Sequence, residues 1–225
     1  METVLILDFG AQYSQLIARR VREQNVYCEV KPCSISPDEI RKLAPIGIIL
    51  SGGPQSVYES VSLHVDPALF SLGIPVLGIC YGCQLMAYSL GGTVAAATEA
   101  TAREYGKTLT EFDTQSAIFH GLPASSVTWM SHGDYISQVP DGFTVTAKTA
   151  VCPTAAMACP EKKLYGVQFH PEVQHTVQGS EILRRFLYSV CGASGDWTMA
   201  DYRQTAIRAI REKVGSGRAL LALSG

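Results

Sequence analysis

The 225-residue sequence is poor in charge: Asp, Glu, Lys and Arg make up 17% of it, against about 25% in an ordinary soluble domain. Its 18 basic and 20 acidic residues leave a net charge of −2, so the balance points to neither a nucleic acid nor an anionic membrane as partner. No apolar run approaches the roughly 20 residues of a membrane-spanning helix. The opening Met1-Glu2-Thr3 has no basic stretch of the kind that starts a secretory signal. Internal repeats and low-complexity tracts are lacking as well. The expectation is a folded, cytoplasmic protein with no nucleic-acid or membrane partner.

A regular set of cysteines is also missing. The seven present, Cys28, Cys33, Cys80, Cys83, Cys152, Cys159 and Cys191, are odd in number and irregularly spaced in a chain too large to need disulfide staples. Most are expected to be reduced, buried and apolar in behaviour. Whether one of them is reactive is not decided by the count.

What is there is an ordinary core-forming chain, 47% hydrophobic with 20 Gly and 11 Pro, too apolar for disorder. At roughly 100–200 residues per domain, the length predicts one domain and a remainder. The first half alternates short apolar runs with amphipathic stretches, as in a parallel sheet covered by helices. Strands are expected at 4–7, 27–30, 46–50 and 75–79, with helices at 12–24, 36–43, around 66–72 and at 81–90. Ser36-Pro37-Asp38-Glu39 has the cap, first-turn proline and third-position glutamate of a helix start. From 92 to about 167 the character becomes strand-like, at 93–96, 107–111, 127–130, 143–149 and 164–169, before a last amphipathic helix at 181–190.

A small-residue linker, Cys191-Gly192-Ala193-Ser194-Gly195, marks a boundary. Beyond it a helix over 198–214 has an apolar face of Tyr202, Ile207, Ile210 and Val214, and the run 219–223 before Ser224-Gly225 reads as a strand with no partner. These features suggest a domain over 1–190, followed at 191–225 by a linker helix and the first strand of a truncated second domain.

Three segments carry chemistry. In Gly78-Ile79-Cys80-Tyr81-Gly82 a strand turns sharply into a helix, which needs small neighbours and presents the cysteine as a nucleophile elbow does. A helix N-terminus favours a thiolate and offers N–H groups to an oxyanion. A buried structural thiol is the competing reading, and the elbow alone leaves the two level. In Gly166 to Val173, His170 and Glu172 stand two residues apart; on an extended segment both would share a face, the carboxylate orienting the imidazole and the imidazole serving the thiol. Pro171 between them marks a strand end. The loop Ser51-Gly52-Gly53-Pro54 lets the backbone approach a ligand closely, although composition alone favours a plain turn. No Gly-Lys-Ser/Thr follows it, so it is not a phosphate-binding P-loop.

Together, Gly78 to Gln84, Ser51 to Pro54 and Gly166 to Val173 resemble the class I, triad-type glutamine amidotransferases, and the match in motif order covers residues 1 to about 190. Asp8 to Glu23 and the pair His175-Thr176 resemble the branch of that family whose ammonia is used to aminate XMP to GMP. The resemblance implies an α/β, flavodoxin-like fold, with a mostly parallel open central sheet flanked by helices and a smaller antiparallel portion in the second half. It implies Cys80 as nucleophile, His170 as base and Glu172 as its orienter, with the N–H groups of Gly53 and Tyr81 as the oxyanion hole. Gln84, Ser131, Gly133 and Asp134 would hold the amino-acid end of L-glutamine. No cofactor is implied for glutamine hydrolysis; ATP and Mg²⁺ would serve an ATP-pyrophosphatase domain, the implied partner, whose opening the segment Leu220 to Gly225 resembles. The whole enzyme is implied to be a homodimer.

Rival readings remain. Cys80-x-x-Cys83 has the form of a redox pair, and Cys152 with Cys159 invites a zinc site, though with the wrong gap for a knuckle. A catalytically silent subunit that binds and regulates a synthetase is a third. His132 is a competing base; His64, His120 and His175 read as surface or turn residues. Arg19, Arg20 and Arg22 read as a solvated face, with a partner-domain contact as the alternative for them and for Arg103 to Gly106.

Overall fold

The computed structural model describes residues 2–97 and 103–222. Its first half alternates as the sequence suggests: β1 (Thr3–Asp8), α1 (Ser14–Glu23), β2 (Tyr27–Pro32), α2 (Pro37–Leu43), β3 (Gly47–Leu50), β4 (Val76–Ile79) and α3 (Tyr81–Ser89). The second half supplies β5 (Thr93–Ala96), β6 (Glu104–Phe112), β7 (Ser125–His132), β8 (Asp134–Gln138), β9 (Thr144–Lys148), β10 (Ala156–Cys159) and β11 (Leu164–Val167). Two helices follow, α4 (Gly179–Arg185) and α5 (Met199–Val214).

Among the described residues, nine strands form one sheet in the order β2-β1-β3-β4-β11-β10-β9-β6-β7, and β5 pairs with β8 separately. The strands β2, β1, β3, β4 and β11 run parallel, and the remainder continue as an antiparallel wing of the same sheet. Both faces of β1, β3, β4 and β11 are buried, while the edge strand β2 buries only Cys28. Val4 and Ile6 join the core under α1 and α4, while Leu5 and Leu7 join the core under α2 and α3. This two-sided burial is why the run Val4 to Leu7 is uniformly apolar rather than alternating.

The capping box of α2 forms as expected, with Ser36 Oγ accepting from the Glu39 N–H and Glu39 reaching back to the Ser36 N–H. Elsewhere the structure corrects the reading. The helix expected near 66–72 is a 3₁₀ turn, Pro67–Ser71, capped by Asp66. The helix at 181–190 begins at Gly179 and widens to a π turn over Phe186–Val190. The strands β8 and β10 have no counterpart in the sequence pattern. Ala156-Met157-Ala158-Cys159 has no β-branched residue, and pairing on both edges with β9 and β11 overrides its weak propensity.

The linker is tied to the domain, Ser194 donating its N–H to Glu2 and Trp197 donating its N–H to the Asn25 carbonyl. Beyond it, α5 buries none of its residues. At its first turn, one residue of the expected apolar face is met, Tyr202 stacking on Tyr27 at 5.6 Å. The strand expected at 219–223 does not form over residues 219–222, and Leu220 is 98% exposed; an apolar run without a neighbouring strand leaves its backbone to water. Leu223 to Gly225 lie outside the described residues.

Two glycines make the turn from β4 into α3 possible. A Cβ on Gly78 would lie 2.6 Å from Cys83 N, and one on Gly82 would lie 2.6 Å from Leu50 Cβ. Alanine would otherwise favour a helix over glycine by about 1 kcal/mol, so Gly82→Ala reads which effect wins. The clash is with backbone and a core strand, and the expected outcome in urea denaturation is a loss of about 2–4 kcal/mol. A gain in stability would show that the elbow has slack the geometry denies.

Candidate active site

Cys80 stands at the end of β4, where its backbone has φ 52° and ψ −108°. A non-glycine residue in that region costs of order 1–3 kcal/mol and persists only when its surroundings enforce it. Here Cys80 donates its N–H to the Val167 carbonyl of β11 at 2.8 Å, and Gly82 donates to the Ser51 carbonyl beyond β3 at 3.1 Å. The strained residue is thus clamped by the strands on either side of its own.

His170 follows β11, though not on a strand. The ladder ends at Val167, and Pro171-Glu172 lie in a turn. The pair meets by that turn rather than by strand alternation: His170 Nδ1 lies 2.7 Å from Glu172 Oε1, with Glu172 buried. Cys80 is the other hydrogen-bond partner of the His170 side chain. Burial by itself would lower the imidazole pKa; the hydrogen bonds to Cys80 and Glu172 and their charges outweigh it and raise it to about 11. The imidazole is therefore held in its charged form between a carboxylate and the sulfur.

The oxyanion candidates sit beside this group. Ser51 fixes its loop by accepting the Phe9 N–H on its Oγ at 3.1 Å and donating to the Gly52 carbonyl at 2.9 Å. A Cβ on Gly53 would meet the Tyr81 ring at 3.1 Å and the Phe9 carbonyl at 3.2 Å, so any larger residue there would have to push the ring or the Phe9 backbone aside. Tyr81 is anchored by its hydroxyl on the Leu63 carbonyl at 2.6 Å.

Gly53, Cys80, Tyr81, Gln84, Ser131, Gly133 and Asp134 all border one cavity of about 450 Å³, in the range of small-molecule sites. A second recess of about 210 Å³, formed by Gly10 to Tyr13, Gly52 and His170, also reaches Cys80. Gln84 Nε2 donates to the Asp134 carbonyl at 2.8 Å and to Gln168 Oε1 at 3.0 Å, and Tyr58 OH donates to Asp134 Oδ1 at 3.1 Å.

A model of the family "Glutamine amidotransferase class-I" matches residues 5–190. The chain belongs to the class I glutamine amidotransferase family. Among curated relatives of this amidotransferase, "GMP synthase [glutamine-hydrolyzing]" of Clostridium botulinum is 54% identical over 224 residues, and its namesake in Geobacillus kaustophilus is 53% identical. In both, all of this chain aligns to 43% of the relative, so the amidotransferase chain spans less than half of their length. A crystal structure of a provisionally assigned GMP synthase subunit from Thermoplasma acidophilum superposes with a TM-score of 0.76 at 31% identity, covering 92% of this chain and 98% of that one.

The rival readings find less support in the amidotransferase structure. Cys83 is fully buried with its thiol pushed well above the ordinary range by burial, and it packs where a Cβ on Gly166 would collide with it. Cys152 and Cys159 belong to cores on opposite faces of the sheet and share no site. His132 has both ring nitrogens occupied, by the Asp134 carbonyl and by Glu104. Of the three arginines, Arg20 and Arg22 depart from the expected solvated face: Arg20 Nε donates to the Glu172 carbonyl at 2.9 Å and Arg22 donates to the Cys28 carbonyl at 3.0 Å.

Two residues lie in segments that the sequence marks, with roles that the motifs do not give. Gln168, fully buried, donates to Cys80 Sγ at 3.6 Å. Thr176 Oγ1 donates to the His170 carbonyl at 2.6 Å and accepts the Trp129 N–H at 3.0 Å, latching the histidine segment to β7. Its place six residues after His170 matches no local pattern. Thr176→Val leaves both backbone groups unpartnered and is expected to cost about 1–3 kcal/mol of stability in urea denaturation, with a simultaneous fall in Cys80 reactivity; an unchanged unfolding midpoint would count against the latch.

Proposed function

We propose that this chain is the glutamine-hydrolysing part of a GMP synthase, with the amidotransferase domain over 1–190 and, at 191–225, a linker helix and the start of a synthetase domain. The observation that carries the reading is a strained Cys80 at an elbow, clamped beside the His170–Glu172 pair, in a chain 54% identical along its length to proteins of that name.

In this mechanism Cys80 Sγ, its proton already held on the ring nitrogen of His170 that Glu172 does not engage, attacks the side-chain amide carbon of L-glutamine. Glu172 keeps the Nδ1–H of His170 fixed. The tetrahedral oxyanion takes the N–H groups of Gly53 and Tyr81; losing one such donor typically costs on the order of 10²–10³ in rate. His170 then protonates the departing amine, ammonia leaves, and a γ-glutamyl thioester remains. Water, deprotonated by His170, attacks the thioester carbon, releasing glutamate and the Cys80 sulfur and leaving the proton on His170. The Asp134 carboxylate suits the substrate's ammonium, with Gln84, Ser131 and Gly133 completing the wall.

The ammonia would pass to the synthetase domain, which with ATP and Mg²⁺ would activate and aminate XMP; those groups belong to the part of the relatives that this chain does not span. The whole enzyme would act as a cytoplasmic homodimer. Hydrolysis by this chain alone is expected to be slow, since closure of such sites can depend on a partner domain, and to rise when the synthetase domain and its nucleotides are supplied. Full-rate hydrolysis without them would contradict that dependence.

A glutamine-analogue electrophile such as 6-diazo-5-oxo-L-norleucine is expected to label Cys80 alone in peptide mapping, and Cys80→Ala to lose glutamine hydrolysis by on the order of 10⁴-fold or more. Activity surviving Cys80→Ala while Cys83→Ala loses it would end the amidotransferase assignment.

The pH dependence follows from His170. Its folded pKa, about 11, lies above the ordinary 6.5, so its stabilising charge is fully present below about pH 6.5 and fades as pH rises toward 11. Glu172→Gln removes one of the raising causes. The alkaline limb of the pH–rate profile is expected to move to lower pH, with kcat down on the order of 10²–10⁴; a limb that stays in place would show that Glu172 does not hold the imidazolium.

A further inference from the structure

Behind the cavity wall lies a buried polar cluster that the mechanism above does not use. Glu104 on β6 and His132 on β7 face each other in register, with relative exposures of 6% and 4%. His132 Nε2 lies 3.2 Å from Glu104 Oε2, and His132 Nδ1 lies 3.0 Å from the Asp134 carbonyl. A carbonyl oxygen only accepts, so Nδ1 carries hydrogen and the tautomer is fixed. The contact between Nε2 and Oε2 then needs one shared proton, since two bare acceptors repel at that separation. Glu104 Oε1 accepts from Thr149 Oγ1 at 2.7 Å, and Thr149 Oγ1 in turn accepts the Cys152 N–H at 2.8 Å.

The Asp134 carbonyl is the junction. It receives His132 from behind and Gln84 Nε2 from the helix side, and Gln84 also reaches Gln168, whose amide donates to Cys80 Sγ. The Ser131 carbonyl, three residues earlier, lies 3.8 Å from Cys80 Sγ. The segment Ser131 to Asp134 is therefore held at both ends, and its free side faces the 450 Å³ cavity.

We propose that Glu104 and His132 are positioning residues that set the Ser131–Asp134 wall and so govern recognition of the amino-acid end of the substrate, without taking part in the chemistry at the sulfur. The proposal rests on the amidotransferase reading. Glu104, His132 and Cys152 also have donor atoms within 4.8 Å of one another, the arrangement of a metal site. Hydrogen bonds already close that cluster: both Glu104 oxygens and both His132 nitrogens have partners, and the Cys152 thiol, bonded by the Thr154 backbone, is pushed up to about 12 by burial.

The test compares two electrophiles on the 225-residue chain, with labelling of Cys80 read by mass spectrometry. Iodoacetamide has no amino-acid end and reports the thiol and its base; 6-diazo-5-oxo-L-norleucine requires the wall. Glu104→Gln and His132→Ala are expected to slow labelling by the norleucine analogue about tenfold or more, the size of one charge-assisted hydrogen bond, and to leave the iodoacetamide rate within about twofold. His132→Asn, whose amide nitrogen can replace the Nδ1 donor, is expected to restore most of the loss. Equal slowing of both reagents, no slowing of either, or stoichiometric zinc that Cys152→Ala removes would each overturn the proposal. A wild-type chain that iodoacetamide labels at Cys80 and the analogue does not would instead bring down the amidotransferase reading and this inference with it.

Discussion

The backbone of Cys80 is the constraint on which the rest of the site depends. A cysteine at φ 52° is unfavourable by itself, and the sheet compensates by enclosing it. Strand β4 lies between β3 and β11 in the sheet, so the loop after β3 and the segment after β11 emerge on either side of it. Ser51-Gly52-Gly53 comes from one neighbour and His170 from the other, because the carboxyl ends of adjacent parallel strands open on the same edge. Sequence separations of about 30 and 90 residues are thus closed by strand order alone. The glycines at 78 and 82 permit the turn, and the clamps Cys80 N–Val167 O and Gly82 N–Ser51 O hold it.

The electrostatics follow from that enclosure. Removing His170 from water opposes its positive charge, whereas the sulfur and the Glu172 carboxylate on its two sides favour it, and the balance goes to the charged form. In a site this dry, the attraction is weakly screened. Glu172 is itself buried, with Oε1 on the imidazole and Oε2 without a hydrogen-bond partner among the described residues, so its charge is compensated mainly by His170. Such a pair is costly to break from one side, which ties the charge state of the base to the integrity of the turn that carries it.

Much of the fold was legible because the inner strands of the parallel half are buried on both faces and write themselves as apolar runs with turn signals between them. The elbow was legible for a related reason, since a Gly-x-Cys-x-Gly pattern between a strand and a helix admits few backbone paths. The antiparallel wing was less readable. Ala156 to Cys159 has the composition of no particular element and becomes a strand only because β9 and β11 are there to pair with it. Glu104, Gln168 and Thr176 were hidden because their roles are contacts across 6 to 88 residues of sequence, set by register and turn geometry rather than by any local pattern. Over residues 219–222 the expected strand is absent for the converse reason: an apolar run with no neighbouring edge has nothing to pair with, whatever its propensity.

The two halves of the sheet divide the labour of the proposed reaction. The parallel strands β3, β4 and β11 would deliver the proposed oxyanion loop, nucleophile and base. The wall that would read the amino-acid end comes from β7 and the start of β8, braced by β6. Cys80 is bordered from two sides, by the cavity that Ser131 to Asp134 line and by the recess that Gly10 to Tyr13 and His170 line, and Gly53 and Ser131 belong to both. A substrate entering from the first side would direct its leaving amine toward His170, and hence toward the second. The Asp8 to Ser14 loop that lines the second hollow is held by Asp8 Oδ1, which accepts from Gly10 N and Ser14 Oγ, so the shape of the recess beside His170 is set from the end of β1.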